Sequence, residues 1–126
     1  MTILIIFVFQ KKYLIVSQIN KLKIFNDPIY GFITIPNAII YDLVQHPYFQ
    51  RLRRISQMGL SYLVYPGANH TRFHHALGCM HLMQKAVDVL RFKEVIISPE
   101  EENALYVAIL LHDIGHGPFS HAMESS

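Results

Sequence analysis

Eight histidines punctuate this chain, and seven of them fall between His70 and His121. Neutral imidazole is the commonest biological metal ligand, and carboxylate is its usual companion for harder catalytic metals. The residues whose types could do such chemistry are His112-Asp113, followed by Gly115-His116-Gly117-Pro118, and the cluster His70, His74 and His75. A His-Asp dipeptide alone is commonplace. Here it closes an apolar stretch, Ala104 to Leu111, and two polar groups at the end of a buried helix are costly unless they have partners. A divalent cation would partner both. The bland alternative is a helix-end histidine whose cationic form is favoured by the helix dipole. The second histidine cluster favours the metal.

Such a site needs elements that bring residue 75 to residues 112 and 113. The spacing predicts a helix from Arg72 to about Leu90, with Ala76, Cys79 or Met80, Met83, Val87 and Leu90 on one apolar face. The next helix has a clear start. Ser98 is its N-cap, Pro99 its first residue, and Glu101 closes a capping box. Glu100, Glu101 and Glu102 suit the positive end of that helix. From Ala104 to Leu111 it is apolar nearly all round, which predicts a place at the centre of the core. A short loop joins the two helices, so they should run antiparallel. That sets His75, near the start of one, beside His112 and Asp113 at the end of the other. Three ligands from two facing helices is a normal way to build a metal site in a helical core.

Upstream, Lys21 to Phe25 and Phe32 to Ile35 are β-like runs, with Asn26-Asp27-Pro28 and Gly31 as turn residues between them. Pro36 suits the first turn of a helix running to about Val44. His46-Pro47 starts another, carrying Arg51, Arg53 and Arg54 and ending at Gly59. Residues 60–71 read as a loop, and Pro118 and Ser120 as the entry to a fifth helix. The class is mainly α with a small N-terminal β hairpin.

Composition narrows the setting. The chain is one domain or part of one, at 126 residues. Charged residues are 16%, against roughly 25% in typical soluble domains, which points weakly to surface covered by further chain or by partner subunits, as in a homo-oligomer. The net charge of +2 gives no argument for nucleic acid or an anionic membrane. Cys79 is the one cysteine, read here as a small buried apolar residue, and its solitude fits a reducing, cytoplasmic setting. Ile3 to Phe9 is an apolar run too short to span a membrane, stopped by Gln10, Lys11 and Lys12. Residues 1–20 are therefore set apart as an apolar extension, an extra strand or a mis-assigned start, and residues 21–126 as the domain.

Leu110-Leu111-His112-Asp113-Ile114-Gly115-His116-Gly117-Pro118-Phe119-Ser120-His121 resembles the central motif of the HD-domain phosphohydrolases, and more narrowly the deoxynucleoside triphosphate triphosphohydrolase branch. Lys23 to Ile33 is similar to that branch's opening hairpin. Phe49 to Ile55 and Tyr65 to Phe73 resemble its next two blocks. The resemblance implies the N-terminal part of an HD-domain helical bundle. It implies a divalent metal ion (Mg, Mn, Fe or Zn) held by His75, His112, Asp113 and a later Asp that should lie downstream of Ser126. His74 takes the variable position before the first ligand.

No Ser, Cys or Lys is evidently set up as a nucleophile, so metal-activated water is the economical choice. The resemblance implies attack at the α-phosphorus of a deoxynucleotide substrate, giving a deoxynucleoside and triphosphate. By the same resemblance Arg72 and His116 contact phosphate, Gln57 contacts the sugar, and His121 protonates the leaving 5′ oxygen. Glu124 would orient His121, although the branch has Asp there. His46 and His81 read as structural, and His70 as either a pocket residue or a loop histidine. Two alternatives stay open: an HD-type nucleotide phosphatase or phosphodiesterase with another substrate, and an inactive truncated fragment lacking the final Asp ligand.

Overall fold

The computed structural model describes residues 23–123. The apolar run Ile3 to Phe9, the extension 1–20, Lys21 and Glu124 lie outside the described residues. The described residues open on an antiparallel hairpin of β1 (Ile24–Asp27) and β2 (Gly31–Thr34), in the register Ile24 with Thr34 and Asp27 with Gly31. The strands differ from expectation. Asn26 and Asp27 belong to β1, and the turn is Pro28 to Tyr30. Asp27 explains the shift: its carboxylate accepts from the backbone N–H groups of Ile29 (2.8 Å) and Tyr30 (3.0 Å), an Asx turn that tightens the reversal. Gly31 then takes φ +74°, a conformation glycine adopts without strain.

Helix α1 (Ala38–Gln45) begins two residues after Pro36, because Asn37 is the N-cap and accepts from Ile40 N–H at 3.0 Å. The same Asn37 amide donates to Asn103 at 2.7 Å, tying α1 to a distant helix. Helix α2 (Pro47–Gln50) tightens at once into a 3₁₀ turn, Arg51–Arg54, and does not reach Gly59. Ile55 is extended, and Ser56 pairs with Thr71 in an isolated β bridge. That pairing takes the backbone out of the helix. The following stretch holds a further 3₁₀ turn at Ser61–Leu63.

Helix α3 (Arg72–Phe92) is the longest element, and α4 (Pro99–Leu111) returns against it. The capping box of α4 forms as read: Ser98 N–H donates to Glu101 at 2.9 Å, and Glu101 N–H to Ser98 Oγ at 3.2 Å. The core gathers Ile33 and Ile35 from the hairpin, Ile40 and Val44 from α1, Phe49 and Leu52, then Phe73, Ala76, Met80 and Val87 from α3. Gly78 admits the hairpin to α3, since a Cβ there would lie 3.1 Å from the Tyr30 ring. One expectation for α4 fails. Only Tyr106 and Leu110 are fully buried, while Ala104 and Ala108 are exposed. Among the described residues α4 has α3 as its principal neighbour, so a helix apolar all round has one covered side. The last described element is a 3₁₀ turn, Ser120–Met123, at the expected entry to a fifth helix, whose continuation lies outside the described residues.

Candidate metal centre

The site lies where the first turns of α3 meet the end of α4. Helical spacing puts Arg72, His75 and Cys79 on one face of α3. His74 is turned away and serves the helix end: its Nδ1 accepts from the Thr71 N–H at 3.3 Å and lies 2.9 Å from Thr71 Oγ1. At the other helix, His112 is the C-cap of α4 and Asp113 follows in the turn.

Three imidazoles converge on one carboxylate. His75 Nε2 lies 3.2 Å from His112 Nε2 and 3.8 Å from Asp113 Oδ2. His112 Nε2 lies 3.4 Å from Asp113 Oδ1, and His116 Nε2 lies 3.7 Å from the same oxygen. The His112 tautomer follows from its backbone partner. Its Nδ1 is 2.6 Å from the Ile109 carbonyl, an oxygen that only accepts, so Nδ1 carries the proton and a neutral His112 presents its Nε2 lone pair to the site. A second imidazole nitrogen at 3.2 Å needs a proton or a cation between them.

Asp113 is buried, at 8% exposure, and Arg72 is more so at 1%. Arg72 Nη1 donates to Asp113 Oδ2 at 2.5 Å. Burial alone would raise the Asp113 carboxyl. The Arg72 hydrogen bond, then the charges of His112, Arg72 and His116, outweigh it and hold Asp113 below the usual carboxylate range. Burial is also the main influence on His75, lowering its pKa against the opposing pull of Asp113. That direction favours the neutral imidazole, the form that can bind a metal. Arg72 has two further donors, Nε and Nη2, that are buried without a partner among the described residues.

The expected residues are distributed as follows. His75, His112 and Asp113 meet at one point, with His116 on its edge. His121 stands beside His116, the rings 5.2 Å apart and nearly perpendicular. Gln57 is held next to α3 by its N–H bond to the His70 carbonyl at 3.0 Å, and its buried Oε1 has no partner among the described residues. His81 packs against Tyr30, ring centroids 5.4 Å apart, with its buried Nε2 unpartnered among the described residues, and His46 caps α2 through its Nδ1. His70 lines a cleft of about 590 Å³ together with Asp27, Tyr30, His74, His75 and Cys79.

Two residues escaped the sequence reading. Arg51 donates to the carbonyls of His116 at 3.0 Å and Ile114 at 2.7 Å, so it fixes the turn that carries His116. Nothing local in a run of three arginines singles it out. Cys79 is half-buried rather than part of the core, with Sγ 3.7 Å from His75 Nε2 and 3.8 Å from Nδ1. The ligand atoms of His75, Cys79 and His112 all lie within 4.8 Å of one another. Its position four residues after His75 was the available signal.

The donor set fits a divalent cation. The two Nε2 atoms stand 3.2 Å apart, His75 lies 3.8 Å from Asp113 Oδ2 and His112 lies 3.4 Å from Asp113 Oδ1, and imidazole and carboxylate are both ordinary ligands of divalent metals.

Residues 72–126 match the HD domain family. The chain is 39% identical over 108 residues to the uncharacterized protein YwfO of Bacillus subtilis, covering 86% of this chain and 25% of that protein. It is 41% identical over 113 residues to the deoxynucleoside triphosphate triphosphohydrolase SAMHD1 of Homo sapiens, covering 88% of this chain and 18% of that one. A crystal structure of a phosphohydrolase from Bacteroides thetaiotaomicron superposes with a TM-score of 0.80 at 56% identity, over 83% of this chain and 26% of the other. The chain thus spans about a quarter or less of these relatives. These matches identify an HD domain over residues 72–126, a span that contains the His-Asp pair.

Proposed function

We propose that this chain is part of a metal-dependent phosphohydrolase that cleaves deoxynucleoside triphosphates to a deoxynucleoside and triphosphate. The observation that carries the reading is the convergence of His75, His112 and Asp113 at ligand spacing on a face lined by further imidazoles. Three of the relatives' features agree: the HD match, the printed activity of SAMHD1, and the phosphohydrolase fold.

In this reading His75, His112 and Asp113 hold the cation. When bound, a divalent ion supplies a water of lowered pKa and neutralises charge on a phosphoryl oxygen. Phosphoryl transfer otherwise depends on positioning and electrostatics. Arg72 does both. Its Nη1 fixes Asp113, and its unpartnered Nε and Nη2 are donors that a phosphate oxygen would satisfy. His116 binds phosphate beside Asp113. His121, exposed at the rim, gives its proton to the leaving 5′ oxygen, a role suited to an imidazole titrating near neutrality. Glu124 orients it. Gln57 accepts a hydrogen bond from the sugar through Oε1, which otherwise stays buried and unpaired. Homo-oligomeric assembly and a cytoplasmic setting belong to the same reading. Among the described residues no helix is long and apolar enough to cross a membrane.

The test is metal analysis of the full-length protein and hydrolysis assays with each dNTP. Bound metal and release of triphosphate are expected. Phosphate release from nucleoside monophosphates, or cleavage of a cyclic nucleotide without triphosphate formation, would shift the reading to the other HD chemistries. No bound metal and no hydrolysis would overturn it.

A further inference from the structure

We propose that the surface loop between Gln57 and His70 is the face through which two copies of this chain pair. The inference rests on the homo-oligomeric reading above and deepens it by naming the surface that carries the assembly.

The loop is built to hold its side chains outward. Its neck is closed by the Ser56–Thr71 bridge and by the Gln57 N–H, which donates to the His70 carbonyl at 3.0 Å. Within it the Val64 and Tyr65 N–H groups donate to the Ser61 carbonyl at 3.1 and 2.8 Å, and the Ala68 N–H donates to the Tyr65 carbonyl at 2.8 Å. A compact loop with neighbouring ends, held by its own backbone, loses little freedom when a partner covers it. Met58, Leu60, Tyr62, Leu63, Val64 and Tyr65 stand on it between 44% and 74% exposed. Gly59, at φ +57°, lets the loop close on the Phe119 backbone, since a Cβ there would sit 3.4 Å from the Phe119 carbonyl carbon. Phe119, itself exposed, adjoins the patch.

Chemistry and area name the occupant. From Ile55 to Thr71 there is no Asp, Glu, Lys or Arg. A surface without cations offers nothing to a phosphate backbone or an anionic membrane. Loss of charge with gain of Tyr and Met is the composition of an interface centre. Tyr suits such a place because its hydroxyl can stay wet while its ring is covered. The buried core of the described residues is mostly Ile, Val, Leu and Phe instead, with Tyr106 its one fully buried tyrosine. The six side chains of the loop expose about 700 Å², close to the roughly 800 Å² that each partner gives to a standard interface. A two-fold pair sets this patch against its own copy. With no charge on either side, nothing repels.

Light scattering of the full-length protein tests this. The unmodified protein should form an even-numbered oligomer. Leu63→Glu with Val64→Glu should halve the mass, and so should Leu63→Lys with Val64→Lys, with helix content unchanged by circular dichroism. Mixing the two charged variants should restore the mass, because opposite charges then meet across the two-fold. That recovery also shows that both variants are folded. Full mass in both charged variants, or no recovery on mixing, would overturn the face and leave oligomerisation standing. Loss of helix content in both would place the loop in the chain's own core and overturn the face as well. A monomeric unmodified protein would overturn the face and the homo-oligomeric reading together.

Discussion

Two ion pairs close the two ends of the α3–α4 pair, and each has its shortest contact at 2.5 Å. At the far end Arg91 donates to Glu102; at the site end Arg72 donates to Asp113. The far pair is partly open to solvent, at 40% and 24% side-chain exposure, while the site pair stands at 2% and 11%. Their remaining atoms differ more. The second oxygen of Glu102 accepts from the Tyr106 hydroxyl at 2.6 Å, so that carboxylate is satisfied. The second oxygen of Asp113 faces His112 at 3.4 Å and His116 at 3.7 Å, contacts too long to be good hydrogen bonds. The same bond therefore finishes one end and leaves the other open to a ligand. Water can take over the far end if it breaks. Among the described residues Arg72 has no ion-pair partner besides Asp113.

The largest expected effect comes from removing an imidazole without stranding the buried Arg72. His75→Ala and His112→Ala should each cut hydrolysis by more than about 100-fold and weaken the metal at least as much, with helix content unchanged by circular dichroism. Full activity in both would remove the site end from the comparison altogether.

Asp113→Ala should behave differently, because it strands Arg72. An unpaired buried charge costs about 3–5 kcal/mol, so this variant should lose stability as well as activity in denaturant titration. Asp113→Asn keeps an acceptor for Arg72 and should recover part of the stability while the metal stays weak. Equal stability of the two variants would mean that Arg72 finds another partner.

Sequence reasoning went furthest where local chemistry decides structure. The Ser98 capping box, the span of α3 and the antiparallel return that joins His75 to His112 could all be read from residue types and spacing. It went less far where distant pairing decides. The Ser56–Thr71 bridge ended α2 early, and neither residue advertises the other. Asp27 moved the hairpin turn by capping its own backbone. At the site, the meeting of His75, His112 and Asp113 was legible from the residues, but the way Arg72 holds Asp113 and Arg51 holds the turn with His116 was not. An arginine looks the same in sequence whether it meets solvent, a carboxylate or a carbonyl.

Arg51 offers a milder probe of the site end. Its guanidinium donates to backbone rather than to the site imidazoles, holding the carbonyls on both sides of Gly115. Arg51→Ala should free the turn carrying His116 and reduce kcat by up to about 100-fold, while Zn²⁺ affinity falls far less. A metal affinity lost in step with kcat would mean that the turn positions Asp113 as well.

The smallest effect is expected at the far end, and its sign follows from Glu102. The hydrogen bond from Arg91, then that from Tyr106, holds the Glu102 carboxyl below its ordinary range. A carboxyl whose folded pKa is depressed contributes its stabilisation above the unfolded value, about 4.3 for Glu, and loses it as pH falls through the lowered folded value. Solvent screens an exposed pair, so the contribution is small even where it is complete. Glu102→Gln should therefore cost little at neutral pH, and the gap from the unmodified protein should close on acidification. Denaturant titrations of both proteins from neutral pH to below pH 4 or so would follow it through the carboxylate range. A gap that widens on acidification would reverse the assigned sign. A neutral-pH cost as large as that of Asp113→Ala would show that partial exposure does not distinguish the two ends, and that the far pair is as indispensable to the α3–α4 contact as the buried one.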